Sequence, residues 1–521
     1  MNAPPLIVAA LVAALAGSVQ AILAPPTNLH WLHWIAYLPM FWVLRPDTPR
    51  RNAALGYLYG IVSVAVIFRW LIDTITLFSN LPMVLAVAVL LLFSMAFGAG
   101  YPLLWGSVHP LRKRLGVGWV LAWPAVQVLI EWVGMRVFLF PYNQGVSQYR
   151  APLVWQIVSI TGIYGATYLV LLVNAALAEA MYRRQEGRPA PWGALGGALA
   201  TLALTLGFGK WRYEAVEARL RQAEVLRVAQ LQSPTDMLER MDGTARQAFD
   251  EWQTLTATLE PGSVDLVVWP EGACPYDLSP AGEEPNRATR MVAQLARDGG
   301  FQLMIGGGTR RREVDPEMGE TSVNVFNSVY WFTEEGEVLD QYDKMVPLPF
   351  GEYLPFGEYV PWLQDMIGGI GDFRAGDRAV VFDAGKARVA TPICYEAILP
   401  SVCRWFDDAT LFVNVTNDAW FGDTAATHQH AMLAAIRSTE LGVPLVRSGY
   451  TGVSFVVEPH GVIHSETTAF EEVHRVVGVR LGHERTLYAL LGDWFVALCL
   501  LGLIGGWLSA PRLRQHTAAA D

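Results

Sequence analysis

Three polar residues far apart in the chain have the types that acyl chemistry on a thiol requires. They are Cys394 in Thr391-Pro392-Ile393-Cys394-Tyr395-Glu396, Glu271 in Trp269-Pro270-Glu271, and Lys344 in Tyr342-Asp343-Lys344. A thiol attacks well only when something takes its proton, and a carboxylate is the plainest base for that. A lysine beside both can hold the negative charge that develops on an attacked carbonyl oxygen. Each residue alone has an ordinary alternative: a loop carboxylate, a solvated lysine, a cysteine packed in a core. The combination carries the reading.

The elements that must position these residues are short. Leu266-Val267-Val268-Trp269 leads to Glu271, and Ala390-Thr391-Pro392-Ile393 leads to Cys394. Strand ends feeding loops are where α/β folds place their chemistry. Lys344 precedes Pro347-Leu348-Pro349-Phe350-Gly351-Glu352, whose prolines restrict the loop. From Val225 onward, β-rich runs at 225–231, 264–269, 302–306, 325–332, 379–382, 388–391, 411–415 and 454–457 alternate with helical stretches. Those stretches fall at 246–258, 285–297 and 428–440, and the alternation predicts layered sheets and helices.

Long apolar segments frame this machinery. Of 521 residues, 52% are hydrophobic and only 17% charged, with a mean hydropathy of +0.28. A bilayer core of about 30 Å needs about 20 apolar residues in a helix. Suitable runs lie near 6–24, 30–44, 53–72, 81–106, 116–134, 154–180, 192–209 and 488–508, predicting eight spans. The division expected is 1–210 membrane helices, 211–485 an extramembrane catalytic domain, and 486–521 a last span and tail. The first run lacks a preceding basic segment and is followed by further spans, so it reads as an uncleaved helix.

Charge orients the spans. Arg45, Arg50 and Arg51; Arg112, Lys113 and Arg114; Arg183, Arg184 and Arg188; and Arg512 and Arg514 follow alternate runs. The loops near 25–29 and 73–80 have no Lys or Arg. Arginine-rich loops stay cytoplasmic, which puts both termini inside and 211–485 outside. Arg136 and Arg150 run against this pattern, as lipid-headgroup partners or as snorkelling side chains. The net charge of −10 argues against nucleic acid as a partner. Cys274, Cys394, Cys403 and Cys499 make no disulfide framework, and a Cys394–Cys403 bridge would silence the nucleophile. His428 and His430 lie two apart on different helix faces without matching ligands, so no metal site is expected.

The trio in this order and setting resembles the nitrilase superfamily, and the apolar framing narrows the resemblance to the apolipoprotein N-acyltransferases. It rests on Trp269-Pro270-Glu271, on Lys344 with Glu352 in Pro349-Phe350-Gly351-Glu352-Tyr353, and on Cys394-Tyr395-Glu396. Val415-Thr416-Asn417-Asp418-Ala419-Trp420-Phe421-Gly422 is a long match, followed by His430, Arg437 and Glu440. Thr451-Gly452, Pro459-His460-Gly461, Glu131, Phe140-Pro141 and Gly145-Val146-Ser147-Gln148 also fit.

The resemblance implies an αββα nitrilase sandwich on an eight-helix membrane bundle. It implies Glu271 as general base, Lys344 as oxyanion stabiliser and Cys394 as the acylated nucleophile, with Glu352, Tyr395 and Glu396 in support and no cofactor. It implies a phospholipid as acyl donor and the α-amino group of a diacylglyceryl apolipoprotein as acceptor. The setting implied is a monomeric multi-pass protein of the bacterial inner membrane with its catalytic domain on the periplasmic side. The chain departs from the family at Tyr450, where an asparagine is usual. Met345-Val346 lacks the usual Arg-His, and the 232–237 stretch lacks a tryptophan often found there. Physical reasoning alone reaches thioester chemistry on a lipid-accessible face. A tethered amidase, a paralogue acylating another amine and a non-catalytic lipid-binding scaffold stay open on that ground. Phe350, Tyr353, Phe356, Tyr359 and Trp362 make either a lid over the site or an aromatic packing belt.

Overall fold

Long apolar runs fold into helices through the first 220 residues, and alternating runs fold into strands beyond them. The computed structural model describes residues 4–510 apart from 47, 80, 138–139, 141, 236–242, 280–281, 315–320, 356, 358 and 360–370. Two units result: one from Met1–Arg69, Val87–Lys210 and Leu491–Asp521, the other from Trp70–Ala86 and Trp211–Leu490.

Helices of the first part are α1 (Leu6–Ile22), α2 (Leu38–Val43), α3 (Pro49–Ile67), α4 (Leu71–Phe78), α5 (Met83–Phe97), α6 (Tyr101–Leu115), α7 (Trp119–Val137), α8 (Ile163–Gln185) and α9 (Trp192–Leu220). Small residues let them approach. A Cβ on Gly17 of α1 would lie 2.5 Å from the Tyr59 carbonyl oxygen of α3, and one on Gly56 would lie 2.7 Å from Trp105 Cβ of α6. Tyr37, Phe41, Trp105, Trp119 and Trp123 fill the space between them. A buried carboxylate of this unit is satisfied from within, as an apolar surround requires. Glu131 accepts from Gln127 Nε2 (3.1 Å), Asn143 Nδ2 (3.1 Å), the Gln144 N–H (2.8 Å) and Thr167 Oγ1 (2.8 Å), which ties the 143–148 turn to α7 and α8.

The expected count of eight spans is corrected. Among the described residues three helical runs are long and apolar enough to cross a membrane: Met83–Val137, Ile163–Gln185 and Trp192–Leu220. A fourth arises if Pro49–Ile67 and Leu71–Leu77, bent by 51°, count as one. The others fall short in length: α1 has 17 residues and the last apolar helix, Trp494–Ser509, has 16. The 30–44 run breaks into a 3-10 turn (His30–Trp34) and the six-residue α2. Arg136 finds partners inside its own unit, with Asp493 at 2.6 Å and the Trp132 ring at 3.9 Å.

The second unit holds twelve strands among the described residues. They are β1 (Val225–Gln232), β2 (Leu266–Cys274), β3 (Gln302–Val314), β4 (Thr321–Phe332), β5 (Val338–Asp343), β6 (Val381–Asp383), β7 (Arg388–Ala390), β8 (Leu411–Thr416), β9 (Leu445–Gly449), β10 (Phe455–Val457), β11 (Ile463–His464) and β12 (Val473–Arg480). They form two six-stranded sheets, β12-β1-β2-β3-β4-β5 and β11-β10-β9-β8-β7-β6. Each has a parallel trio (β1-β2-β3 and β7-β8-β9) flanked by antiparallel strands.

Period-two alternation gives the first sheet two apolar faces. Val228, Leu266, Val268, Met304 and Trp331 meet Val389, Leu411, Val413 and Val446 of the second sheet. Ala229, Leu231, Val267, Leu303 and Ile305 meet Phe249, Trp252 and Leu255 of α10 (Ala245–Ala257) and Val292 and Ala296 of α11 (Arg287–Gly299). Behind the second sheet, α12 (Ala425–Leu441) contributes Ala431 and Ala435. Helix, sheet, sheet and helix layers make the αββα sandwich expected of a nitrilase-like domain.

Candidate active site

Glu271, Lys344 and Cys394 arrive from three different segments of the sandwich, and local distortions aim each of them. In β2 the ladder to β3 shifts register between Trp269 and Cys274, so the strand bulges at Pro270-Glu271-Gly272. Gly272 takes φ +63°, a backbone state that glycine adopts without steric cost. Across the ladder Gly306 leaves room for the bulge: a Cβ there would stand 2.7 Å from Glu271 Cα and closer still to the Pro270 carbonyl oxygen. Lys344 follows β5 directly, its N–H donating to the Asn327 carbonyl (2.8 Å) and its own carbonyl accepting from the Gly376 N–H (2.8 Å). Cys394 opens a 3-10 turn, Cys394–Ile398, after β7. Its φ of +51° puts a non-glycine residue in the left-handed region, a strained state that neighbouring bonds must hold.

Glu396 supplies that hold. Fully buried, it accepts from the Ile393 N–H (2.8 Å), the Met345 N–H (2.7 Å), the Val346 N–H (2.9 Å) and Tyr342 Oη (2.9 Å), fastening the Cys394 turn to the Lys344 loop. Burial pushes its carboxyl up to about 7, against the Lys344 charge and these donors. The loop uses the backbone N–H groups of Met345 and Val346 here, so the absent Arg-His pair costs this joint nothing.

The polar groups close into a ring. Lys344 Nζ lies 2.7 Å from Glu352 Oε2 and 3.4 Å from Glu271 Oε1. Asn327 Nδ2 donates to Glu271 Oε1 (2.7 Å) and to Glu352 Oε1 (2.6 Å). Glu271 Oε2 takes the Asn417 N–H (2.8 Å), and Glu352 Oε2 also takes the Leu348 N–H (2.6 Å). Lys344 is 1% exposed. Burial would lower its pKa, but the Glu352 and Glu271 carboxylates and the nearby thiol hold it well above the usual lysine range, so it stays an ammonium. Burial opposes ionisation of Glu352 as well, yet Lys344 keeps it below the usual carboxylate range.

Cys394 feels this ring. Burial and the Glu271 carboxylate push its thiol well up, Lys344 pulls it down, and Asp418 adds to the rise. The resting group is therefore a neutral thiol beside a carboxylate. Tyr395 lies at the same edge, its phenol raised to about 12 by burial and by Tyr353, against Lys344. All four cysteines are free. Cys274 packs with the apolar side chains between sheet and helices, and burial lifts its thiol to about 12.

Beneath the nucleophile lies a second buried cluster. Asp418 accepts from Arg447 Nη2 (2.7 Å), pairs with His430 Nδ1 (2.8 Å) and takes the Thr416 hydroxyl (3.2 Å). These partners keep Asp418 ionised although burial opposes it. The histidine that sequence reasoning set aside as a metal ligand thus orients a carboxylate. Glu217, Glu458 and His460 form a separate group, but Arg480 caps both carboxylates, with Nη2 at 2.5 Å from Glu458 and 3.1 Å from Glu217.

All six residues singled out by sequence lie in this region: Glu271, Lys344, Cys394, Glu352, Tyr395 and Glu396. Asn327, Asn417, Asp418 and Arg447 were not foreseen as site residues. Tyr450, one of the departures, is fully buried and packs edge-on to Trp252 (5.1 Å between ring centres), in the layer between sheet and helices and away from the ring. Of the aromatic stretch, Phe350 and Tyr359 are exposed, while Phe356 and Trp362 lie outside the described residues, as do Asp236 and Met237.

Comparison with known proteins agrees along the chain. Residues 16–176 match the family described as apolipoprotein N-acyltransferase N-terminal domain, and residues 226–484 match carbon-nitrogen hydrolase. The apolipoprotein N-acyltransferase of Geobacter metallireducens is 31% identical over 506 residues, covering 94% of this chain and 93% of that one. That of Allorhizobium ampelinum is 30% identical over 494 residues, covering 88% and 87%. Among solved structures, an amidase from Nesterenkonia sp. aligns at 19% identity with a TM-score of 0.37, covering 53% of this chain and 96% of the amidase. With a thiol, a carboxylate and an ammonium gathered in a sandwich of this kind and relatives matched over nearly its whole length, the chain is an acyltransferase and belongs to the apolipoprotein N-acyltransferase family.

Proposed function

We propose that the chain moves a fatty acyl group from a membrane phospholipid, through a thioester on Cys394, to the α-amino group of an N-terminal S-diacylglyceryl cysteine on an apolipoprotein. The observation that carries the roles is the buried ring of Glu271, Asn327, Glu352 and Lys344 acting on one thiol. Family membership supports the two substrates.

The steps follow from the charges. The thiol is neutral at rest, so its proton passes to Glu271 as sulfur attacks the ester carbonyl. Lys344 faces the oxygen that becomes negative; loss of one such donor typically costs about 3–4 kcal/mol of transition-state stabilisation. A C–S bond forms, the ester C–O bond breaks, and the lysolipid oxygen leaves with the proton from Glu271. The amine then attacks the thioester, Glu271 takes one of its protons, the C–S bond breaks and the proton returns to sulfur. Glu352 holds Lys344, and Glu396 and Tyr395 support the turn that carries Cys394.

The reading includes a bacterial inner membrane, a monomer, and a periplasmic catalytic domain over 211–485 between segments 1–210 and 486–521. Arginines after alternate apolar runs support the orientation. The 55-residue run Met83–Val137 would be about 80 Å long if straight, over twice the bilayer core, and it turns at Gly116, where φ is +57°.

Intact-mass measurement after incubation with defined phospholipids tests the reading. The expected result is one acyl adduct on the wild type and none on Cys394→Ala, with Cys274→Ala acylated as the wild type is. An adduct that survives Cys394→Ala, or turnover of a soluble amide without any adduct, would sink it.

A further inference from the structure

We infer that Asn327 is the acceptor-side selector of this site: its side-chain oxygen takes the amine N–H that Glu271 does not remove. The inference rests on the acyl-transfer reading above and concerns its second half-reaction.

Asn327 sits on β4, 9% exposed, with its backbone carbonyl already bonded to the Lys344 N–H. Its Nδ2 donates to Glu271 Oε1 at 2.7 Å and to Glu352 Oε1 at 2.6 Å. A primary amide has two such protons, and both are committed to carboxylates. Turning the amide over would set its oxygen against two carboxylate oxygens, so the orientation is locked. Oδ1 has no hydrogen-bond partner among the described residues. Amide bond lengths place it about 2.2 Å from Nδ2, hence within about 5 Å of the Glu271 carboxylate. The ring therefore presents one fixed, open acceptor beside the base.

The two half-reactions differ in their need for it. The ester carbonyl and ester oxygen of the lipid carry no hydrogen to donate. A primary amine attacking the thioester carries two N–H bonds as its lone pair engages carbon. One proton goes to Glu271 and on to the departing sulfur. The other stays on nitrogen and becomes the N–H of the product amide. Oδ1 holds that second N–H and so aims the lone pair at the thioester carbon.

The test separates the two steps. Wild type, Asn327→Ala and Asn327→Ser are each incubated with phospholipid, and acylation of Cys394 is followed by intact mass. The isolated acyl-enzymes are then mixed with a diacylglyceryl-cysteine peptide and with its N-methyl analogue, which has one N–H fewer. Loss of Nδ2 slows both steps, but loss of Oδ1 adds a further fall, about tenfold to about a hundredfold, to transfer onto the primary amine. The wild type also prefers the primary amine, and both variants lose that preference. Equal falls in the two steps, a loss confined to acylation, or an unchanged preference would overturn the inference and leave Asn327 as a holder of two carboxylates. A wild type that forms no adduct at all would instead overturn the acyl-transfer reading.

Discussion

The nucleophile of this protein is held as a thiol. Burial and the neighbouring Glu271 charge keep its proton on, and the Lys344 ammonium only partly offsets them. This separates reactivity toward simple alkylating agents from catalysis. Glu271→Gln removes the largest neighbouring charge that raises the thiol, so its ionisation moves to lower pH. Iodoacetamide labelling of Cys394 should then rise at a given pH, with its profile displaced toward acid, while acyl-enzyme formation disappears for want of a base. Parallel loss of both would mean that Glu271 acts only by holding the fold. Residue types made this chemistry legible from sequence, because few arrangements use a cysteine, a glutamate and a lysine together in such apolar company. Asn327 was not legible. Its role exists only once β4 pairs with β5 and brings its amide between two carboxylates that lie 81 positions apart in the chain, at 271 and 352.

Elements place these groups through irregularities rather than through regular geometry. The β2 bulge needs an unhindered partner strand, and Gly306 provides it. Gly306→Ala would press a methyl group against Pro270 and Glu271 backbone that has no slack. The expected outcome is a loss of about 1–3 kcal/mol in stability. Acyl-enzyme formation should fall about a hundredfold, since displacing a catalytic group by about 1 Å has that effect. Thermal unfolding and the acylation rate, measured on one preparation, check both. An acylation rate equal to that of the wild type would show that the bulge has room to spare. Regular apolar runs gave up their strands readily; β1, β8, α10 and α12 begin and end within three residues of expectation. Four strands were missed: the two-residue β11, and β5, β9 and β12, each for a physical reason. β5 carries Asp340, Gln341 and Asp343 among its six residues, and β12 faces water on one side with His474 and Arg480. β9 has Arg447 at its centre, tolerable in a buried strand only because Asp418, 29 residues away, neutralises it.

At the scale of the whole molecule, hydropathy was legible as a total and less so as a count of spans. Aromatic and glycine-rich helices such as α2 and α3 pack through shape, so their apolar windows are short or interrupted. Nor was it foreseen that Trp70–Ala86 belongs with the catalytic sandwich. Trp70 donates through Nε1 to Gln429 (3.2 Å) and lies edge-on to Phe421 (5.2 Å between ring centres). Trp70→Ala should cost about 3–5 kcal/mol, read as a lower unfolding midpoint of the detergent-solubilised enzyme. An unchanged midpoint would mean that this segment merely rests on the sandwich. The pairing of β1 with β12, from Val225↔Arg480 to Gln232↔Val473, sets a schedule for synthesis. At about 5–20 residues per second, on the order of ten to fifty seconds pass between the emergence of one strand and its neighbour. Throughout that interval the outer edge of β1 is an open ladder, available to any passing strand. A ribosome that stalls before Val473 therefore releases a chain whose nucleophile is already made and whose sheet is still unfinished.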